Sequence, residues 1–308
     1  MPTIHSNEWE VSEIQSQIDE IRRDRASGAA TLTLRAARLL IGCAENMPEE
    51  VPAIARALMA AQPAMGPVCN LAWRALSSPN VTGACHGFLE WMEQNAARVA
   101  ETAAGLIKDG ETVMTHSFSS TVLAAFREAS RRGRRFKVIC PESRPVCEGL
   151  AMAASLGMAG IDVSLIADAA CYRLLPEVGC VWVGADAISP RGVFNKTGTA
   201  LLALAARELK VPFYVLCASD KILPHSYDPP PETPKHSVDL LERELPHVTA
   251  LHYHFDVTPL DFVTGVVTED RIVTPSELRE RLACPAMPPD TALATLLSQS
   301  QPALPVAC

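Results

Sequence analysis

No two of the ten cysteines are spaced Cys-x-x-Cys, so the usual ligand pattern of a structural zinc site is missing. They stand scattered, several inside apolar runs such as Val138-Ile139-Cys140 and Val215-Leu216-Cys217. That placement reads as buried reduced thiols of a cytosolic protein rather than as a disulfide framework. A basic excess is missing too. Net charge is −8 and the sequence pI about 5.5, which argues against general nucleic-acid binding. No apolar run approaches the roughly 20 residues that span a bilayer. The opening MPTIHSNEWEVSE has neither the basic region nor the apolar segment of a signal peptide. The expectation is a soluble cytoplasmic protein with no membrane partner. Aromatic residues make up only 5% of the chain, and no internal repeat is visible.

What is present suits a globular protein: 308 residues, 48% hydrophobic, enough for one or two cores. Residues 1–108 read as a helical domain. Val11, Ile14, Ile18 and Ile21 recur at helical spacing, with Ser6 or Asn7 as candidate caps. After an interruption at 24–30, a second helix runs through Leu34, Leu39 and Leu40, and further helices are expected over 49–61, 67–77 and 83–107. From Glu111 the pattern alternates. Strands are expected at Thr112–Thr115, Phe136–Cys140, Asp162–Ile166, Cys180–Val183 and Phe213–Cys217, with helices at 119–131, 146–158, 168–174 and 198–209. Such alternation predicts an α/β fold with a mostly parallel, doubly wound, Rossmann-like sheet over 109–283. Residues 224–234 form a proline-rich loop, and 284–308 read as a mobile tail. The run Arg131-Arg132-Gly133-Arg134-Arg135 reads as a solvated turn.

In such a sheet, ligands bind outside the carboxyl ends of the strands, and here those ends are polar. The first runs into Thr115-His116-Ser117-Phe118-Ser119-Ser120-Thr121, hydroxyls that open a helix and suit an anion. The second runs into Glu142-Ser143-Arg144-Pro145, where Arg144 suits a phosphate or carboxylate. The third ends at Asp168 and the fourth at Asp186. A Gly-containing turn follows Asp186, then Asn195-Lys196 and a helix starting at Gly198-Thr199, a candidate phosphate cradle. The fifth ends at Ala218-Ser219-Asp220-Lys221. Together they describe a site for a small phosphorylated, polyhydroxylated ligand. The reading calls for no cofactor and no metal.

Thr115-His116, Glu142-Ser143-Arg144-Pro145 with Glu148-Gly149, Gly184-Ala185-Asp186, Asn195-Lys196-x-Gly198-Thr199 and Phe255-Asp256-x-Thr258-Pro259 resemble one superfamily. It holds the regulatory alpha, beta and delta subunits of eukaryotic translation initiation factor 2B and the isomerases of ribose-1,5-bisphosphate and methylthioribose-1-phosphate. The resemblance implies a helical domain before a Rossmann-like domain, and a homodimer through the latter, in some members a hexamer. It puts Asp186 on the isomerases' catalytic aspartate, and Asn195, Lys196 and Lys221 on substrate-binding positions. The isomerases carry Cys directly after Thr-His, where this chain has Ser117, a far weaker proton acceptor than a low-pKa thiolate. Their Arg-Gly-Ala appears as Ser27-Gly28-Ala29, with Arg25 two residues upstream, and an Arg-Pro of the helical domain appears as Gln62-Pro63. The expectation is a protein binding a phosphorylated sugar or nucleoside monophosphate, with cysteine-dependent isomerisation lost or altered. The alternatives are an active aldose–ketose sugar-1-phosphate isomerase using Asp186, or a translation-factor-like assembly subunit.

Overall fold

The computed structural model describes residues 11–24, 27–236, 240–241 and 245–283. Ser6, Asn7, Arg25 and the segment 284–308 lie outside them. The chain opens on helices α1 (Val11–Arg23), α2 (Ala29–Asn46), α3 (Val51–Ala61), α4 (Gly66–Leu76) and α5 (Val81–Ala104). Their apolar stripes meet in one core. Ile14, Ile18 and Ile21 of α1 face Leu32, Leu39 and Leu40 of α2, together with Leu58 and Leu71. Asn80 caps α5, its side-chain oxygen accepting from the Gly83 N–H at 2.9 Å.

The second half is a seven-stranded sheet. Strands β1 (Thr112–Met114), β2 (Lys137–Pro141), β3 (Asp162–Ile166), β4 (Cys180–Val183), β7 (Phe213–Leu216), β11 (Gly265–Val267) and β12 (Ile272–Val273) lie in the order β12-β11-β7-β4-β1-β2-β3. Only β12 runs antiparallel to its neighbour. The crossovers carry α6 (Ser120–Arg131), α7 (Glu148–Met158), α8 (Cys171–Leu174) and α9 (Thr199–Glu208), and α10 (Pro275–Ala283) follows the sheet. Central β4 is buried throughout, while edge strand β3 leaves Asp162, Ser164 and Leu165 exposed. Three of the scarce aromatics stack under the sheet: Phe126 lies on Trp182 at 5.1 Å and on Phe136 at 5.7 Å.

Because the chain leaves β1 for β2 and later returns to β1's other side as β4, a crevice opens where strand order reverses. The loops after β1 and β4 flank it. Helix α5 ties both halves: Cys85 and Phe88 belong to the helical core, while Val99, Ala100, Ala103 and Ala104 belong to the core under the sheet.

β11 and β12 join the five strands expected from sequence, and two expected segments fold otherwise. The turn expected after Asp186 is a hairpin of β5 (Ala187–Ser189) and β6 (Gly192–Lys196), extended by β10 (Phe255–Thr258) into a second sheet, and β8 (Lys235–His236) pairs with β9 (Leu251–His252) in a two-stranded ribbon. Every residue of β5 and β6 is buried, so no polar alternation marks them as strands. The helix expected over 168–174 is a 3₁₀ turn, Asp168–Ala170, followed by the short α8. The arginine run sits at the opposite end of the strands. There Arg131 and Arg132 pair with Glu128, both at 2.7 Å, as a solvated turn would. Eight described cysteines are unbridged, six of them buried.

Gly149 starts α7 against the end of β2. A Cβ there would lie 1.8 Å from the Pro141 carbonyl oxygen, whereas at Gly157 of the same helix it would meet nothing within 4 Å. Gly149→Ala is expected to lower stability by about 3 kcal/mol, and Gly157→Ala to raise it by about 0.5 kcal/mol. Thermal or urea unfolding of the pair checks both.

Candidate functional site

At the switch point lies a cavity of about 1380 Å³ between the helical half and the strand ends. Asp186 faces it three residues beyond β4. Its N–H donates to the Phe194 carbonyl and its own carbonyl accepts from the Gly66 N–H, both at 2.8 Å. Gly66 is needed there, because a Cβ would lie 2.8 Å from the Lys221 carbonyl oxygen. Asn70, also on α4, donates its side-chain amide to the carbonyls of Asp220 and Ile222 at 2.6 and 3.0 Å. The start of α4 therefore holds both Asp186 and Lys221 in the cavity wall. Burial raises the Asp186 carboxyl to about 6; Lys221 opposes the rise, Glu148 adds to it, and Lys196 opposes it. Asp220 beside Lys221 is buried and likewise raised to about 6.

The loop after β1 forms the facing wall. Ser117 is 8% exposed, adopts a left-handed backbone with φ of 60°, and donates its N–H to Ser143 Oγ at 2.8 Å. Its hydroxyl makes no hydrogen bond among the described residues. Ser143 and Cys147 are left-handed as well, with φ of 63° each, so two of three non-glycine residues in a costly conformation, Ser117 and Cys147, line the cavity and Ser143 supports them from behind. Asp168 fixes this rim by accepting from the N–H groups of Ser143 and Arg144 at 2.7 and 2.8 Å. His116 donates Nε2–H to the Thr197 carbonyl at 2.9 Å. Burial lowers its pKa, against the opposing effect of that bond.

Of the residues expected in the site, Gly28, Ala29, Ser117, Ser119, Ser120, Thr121, Asp186, Asn195, Lys196 and Lys221 line the one cavity. Gly28 begins α2 with no side-chain cap, and Ser119 caps α6 by accepting from the Val122 N–H at 3.3 Å. Both helix starts therefore face the cavity. Arg144 does not line it. Its side chain is exposed and directed to Cys147 Sγ at 3.9 Å, because the turn that anchors its N–H to Asp168 carries it away. Arg25 lies outside the described residues. Gln62, in place of an arginine, spends its amide on the carbonyls of Ile21 and Asp24 at 2.6 and 3.3 Å.

The expected cradle at 195–199 is organised differently. The start of α9 is not open to an anion: Asp256 on β10 accepts from the N–H groups of Gly198 and Ala200 at 2.8 and 3.1 Å. The Asn195 amide donates to Thr199 Oγ1 at 3.0 Å. Lys196, 5% exposed, is paired with Glu148 Oε1 at 2.6 Å.

Sequence reasoning missed several lining residues: Arg22 at the end of α1, Glu148 at the start of α7, and Pro230 to Thr233 with His254 and Phe255. The proline-rich loop is the nearest thing to a signal for the last group. Arg191 holds it by donating to the Pro229 carbonyl at 2.8 Å, and Tyr227 by donating to the Pro63 carbonyl at 3.0 Å.

Residues 18–275 match the Initiation factor 2 subunit family. A putative translation initiation factor eIF-2B subunit 2-like protein of Pyrococcus horikoshii is 37% identical over 268 residues, covering 83% of this chain and 94% of that protein. A ribose 1,5-bisphosphate isomerase of Archaeoglobus fulgidus is 32% identical over 290 residues, covering 86% and 91%. The crystal structure of the Pyrococcus horikoshii OT3 translation initiation factor eIF-2B superposes with a TM-score of 0.77 at 33% identity, covering 85% of this chain and 97% of that one. Among the described residues no helix is long and apolar enough to cross a membrane, and no group of three or more metal-ligating side chains is gathered.

The raised carboxyl has a stability consequence. The unfolded chain releases the Asp186 proton near its ordinary value of 3.8 while the folded protein keeps it to about 6, so the fold loses stability as pH rises between the two. Asp186→Asn should therefore be more stable than wild type at pH 7–8, by up to about 3 kcal/mol, with the difference vanishing below about pH 4. Thermal unfolding across pH 3.5–8 measures this.

Proposed function

Because the chain belongs to the initiation factor 2 subunit family, we propose that its cavity binds a phosphorylated pentose or nucleoside monophosphate, and that sugar isomerisation, where retained, proceeds without a thiol at Ser117. The observation that carries this reading is the gathering of two helix starts, Gly28–Ala29 and Ser119–Thr121, with Lys196, Lys221 and Asp186 on one cavity. N-terminal N–H groups and lysines favour a phosphate. Asp186, holding its proton to about 6, is placed to act as a general acid near neutral pH.

The charges of the wall favour one phosphate over two. Among the described residues, Arg22, Arg191, Lys196 and Lys221 are its cations, against the carboxyl groups of Asp24, Glu93, Glu148, Asp186, Asp220 and Glu232. Of those cations, Lys196 is tied to Glu148, Arg22 to Asp19, and Arg191 to the 228–229 loop. Ribose 1-phosphate or a nucleoside 5′-monophosphate at 100 times its Kd should raise the melting temperature by roughly 5 °C. Ribose 1,5-bisphosphate should raise it less, and Lys221→Ala should cancel the shift. A thermal-shift series is the test; no shift with any phosphorylated ligand rules the reading out.

One observation bears on the expected homodimer. Packed helices α8 and α9 expose Tyr172 (59%), Leu201 (72%) and Leu204 (47%). We assign this apolar patch to a homodimer contact. Leu201→Glu should convert the dimer to a monomer in sedimentation velocity, with unchanged circular dichroism.

A further inference from the structure

Glu148 begins α7, which approaches the end of β2 because Gly149 has no Cβ to strike Pro141. Its carboxylate thus enters the cavity from the wall opposite β4. Oε1 accepts from Lys196 Nζ at 2.6 Å. Oε2 is buried and makes no hydrogen bond among the described residues. An unpaired buried carboxylate oxygen carries a desolvation penalty that a donor from a bound molecule would offset. The charge on Glu148 also acts on Asp186, so the two carboxyl groups and Lys196 form one electrostatic unit. Ser117, by contrast, has no base on its hydroxyl among the described residues.

We propose that Glu148 is the second acid–base group of this cavity, receiving through Oε2 the proton of the substrate's C2 hydroxyl while Asp186 protonates the ring oxygen. The proposal rests on the phosphosugar reading of the site. In an aldose 1-phosphate the anomeric oxygen is esterified, so a ketose can form only if the bond from C1 to the ring oxygen breaks. The ring oxygen keeps that bonding pair and takes the Asp186 proton. The hydrogen on C2 moves with its electron pair to C1. The O–H bonding pair at C2 becomes the new carbonyl bond, and the released proton goes to Glu148. C1 is reduced and C2 oxidised within one molecule, so no external oxidant or reductant is required, and the phosphate stays on O1. Proton return from Glu148 to Asp186 resets the pair. Lys196 holds Oε1 and leaves Oε2 to the substrate.

The test compares wild type, Glu148→Gln, Glu148→Asp and Asp186→Asn with ribose 1-phosphate, ribose 1,5-bisphosphate and 5-methylthioribose 1-phosphate. Melting shifts and ketose formation are both read. Expected is a sugar phosphate that shifts the melting temperature of wild type and Glu148→Gln alike and is converted by wild type. With it, kcat should fall 100-fold or more in Glu148→Gln with KM within about threefold. The acidic limb of the kcat–pH profile should disappear in that variant, and Glu148→Asp should recover part of the rate. A purely structural role would instead lower the melting temperature and leave the limb in place, and that result overturns the proposal. So does wild type that binds a sugar phosphate and converts none, which leaves the binding reading standing. Absence of any melting shift removes the binding reading, and this proposal with it.

Discussion

The start of α4 is the contact on which the site depends. Backbone meets backbone there: Gly66 donates to the Asp186 carbonyl and lies against Lys221 with no room for a side chain. One strand end is thereby pinned to the helical half by main-chain geometry, and the other by the Asn70 side chain on the carbonyls of Asp220 and Ile222. The helical half is consequently one wall of the cavity, and the carboxyl group of Asp186 is withdrawn from bulk water by it. The raised pKa of that carboxyl follows from the same packing.

A second constraint organises the opposite wall. Asp168 holds the Ser143–Arg144 turn by two backbone N–H groups, and Ser143 in turn holds Ser117. Polar groups that a reader would assign to ligand binding are therefore divided between two tasks. Asp168, Asp256 and Gln62 satisfy backbone groups; Asp186, Lys221 and the starts of α2 and α6 face the cavity. The Lys196–Glu148 pair joins these sets, since it is buried structure and cavity wall at once.

Much of this was legible in the sequence. The continuous apolar run Cys180–Val183 reads as a central parallel strand, and the carboxylate just beyond it reads as a switch-point residue. The alternation after Glu111 yields the correct sheet class, and several of the polar strand-end residues lie on the cavity. What escaped depends on distant partners. β6 pairs with β10 across some sixty residues, Asp256 caps α9 from a similar separation, and Glu148 meets Lys196 from 48 positions away. None of these leaves a local pattern. Arg144 misled because its residue type suits a phosphate, while the left-handed turn around it decides where the side chain goes.

Helix α5 spends its first half in one core and its last half in the other. Melting the helical region alone would strip Val99 and Ala103 of the covering their own helix provides to the sheet. Loss of the sheet would leave the end of α5 without its apolar partners. The two regions accordingly share a single cooperative unfolding unit. Any molecule that bridges them across the cavity stabilises the whole chain, not one half of it.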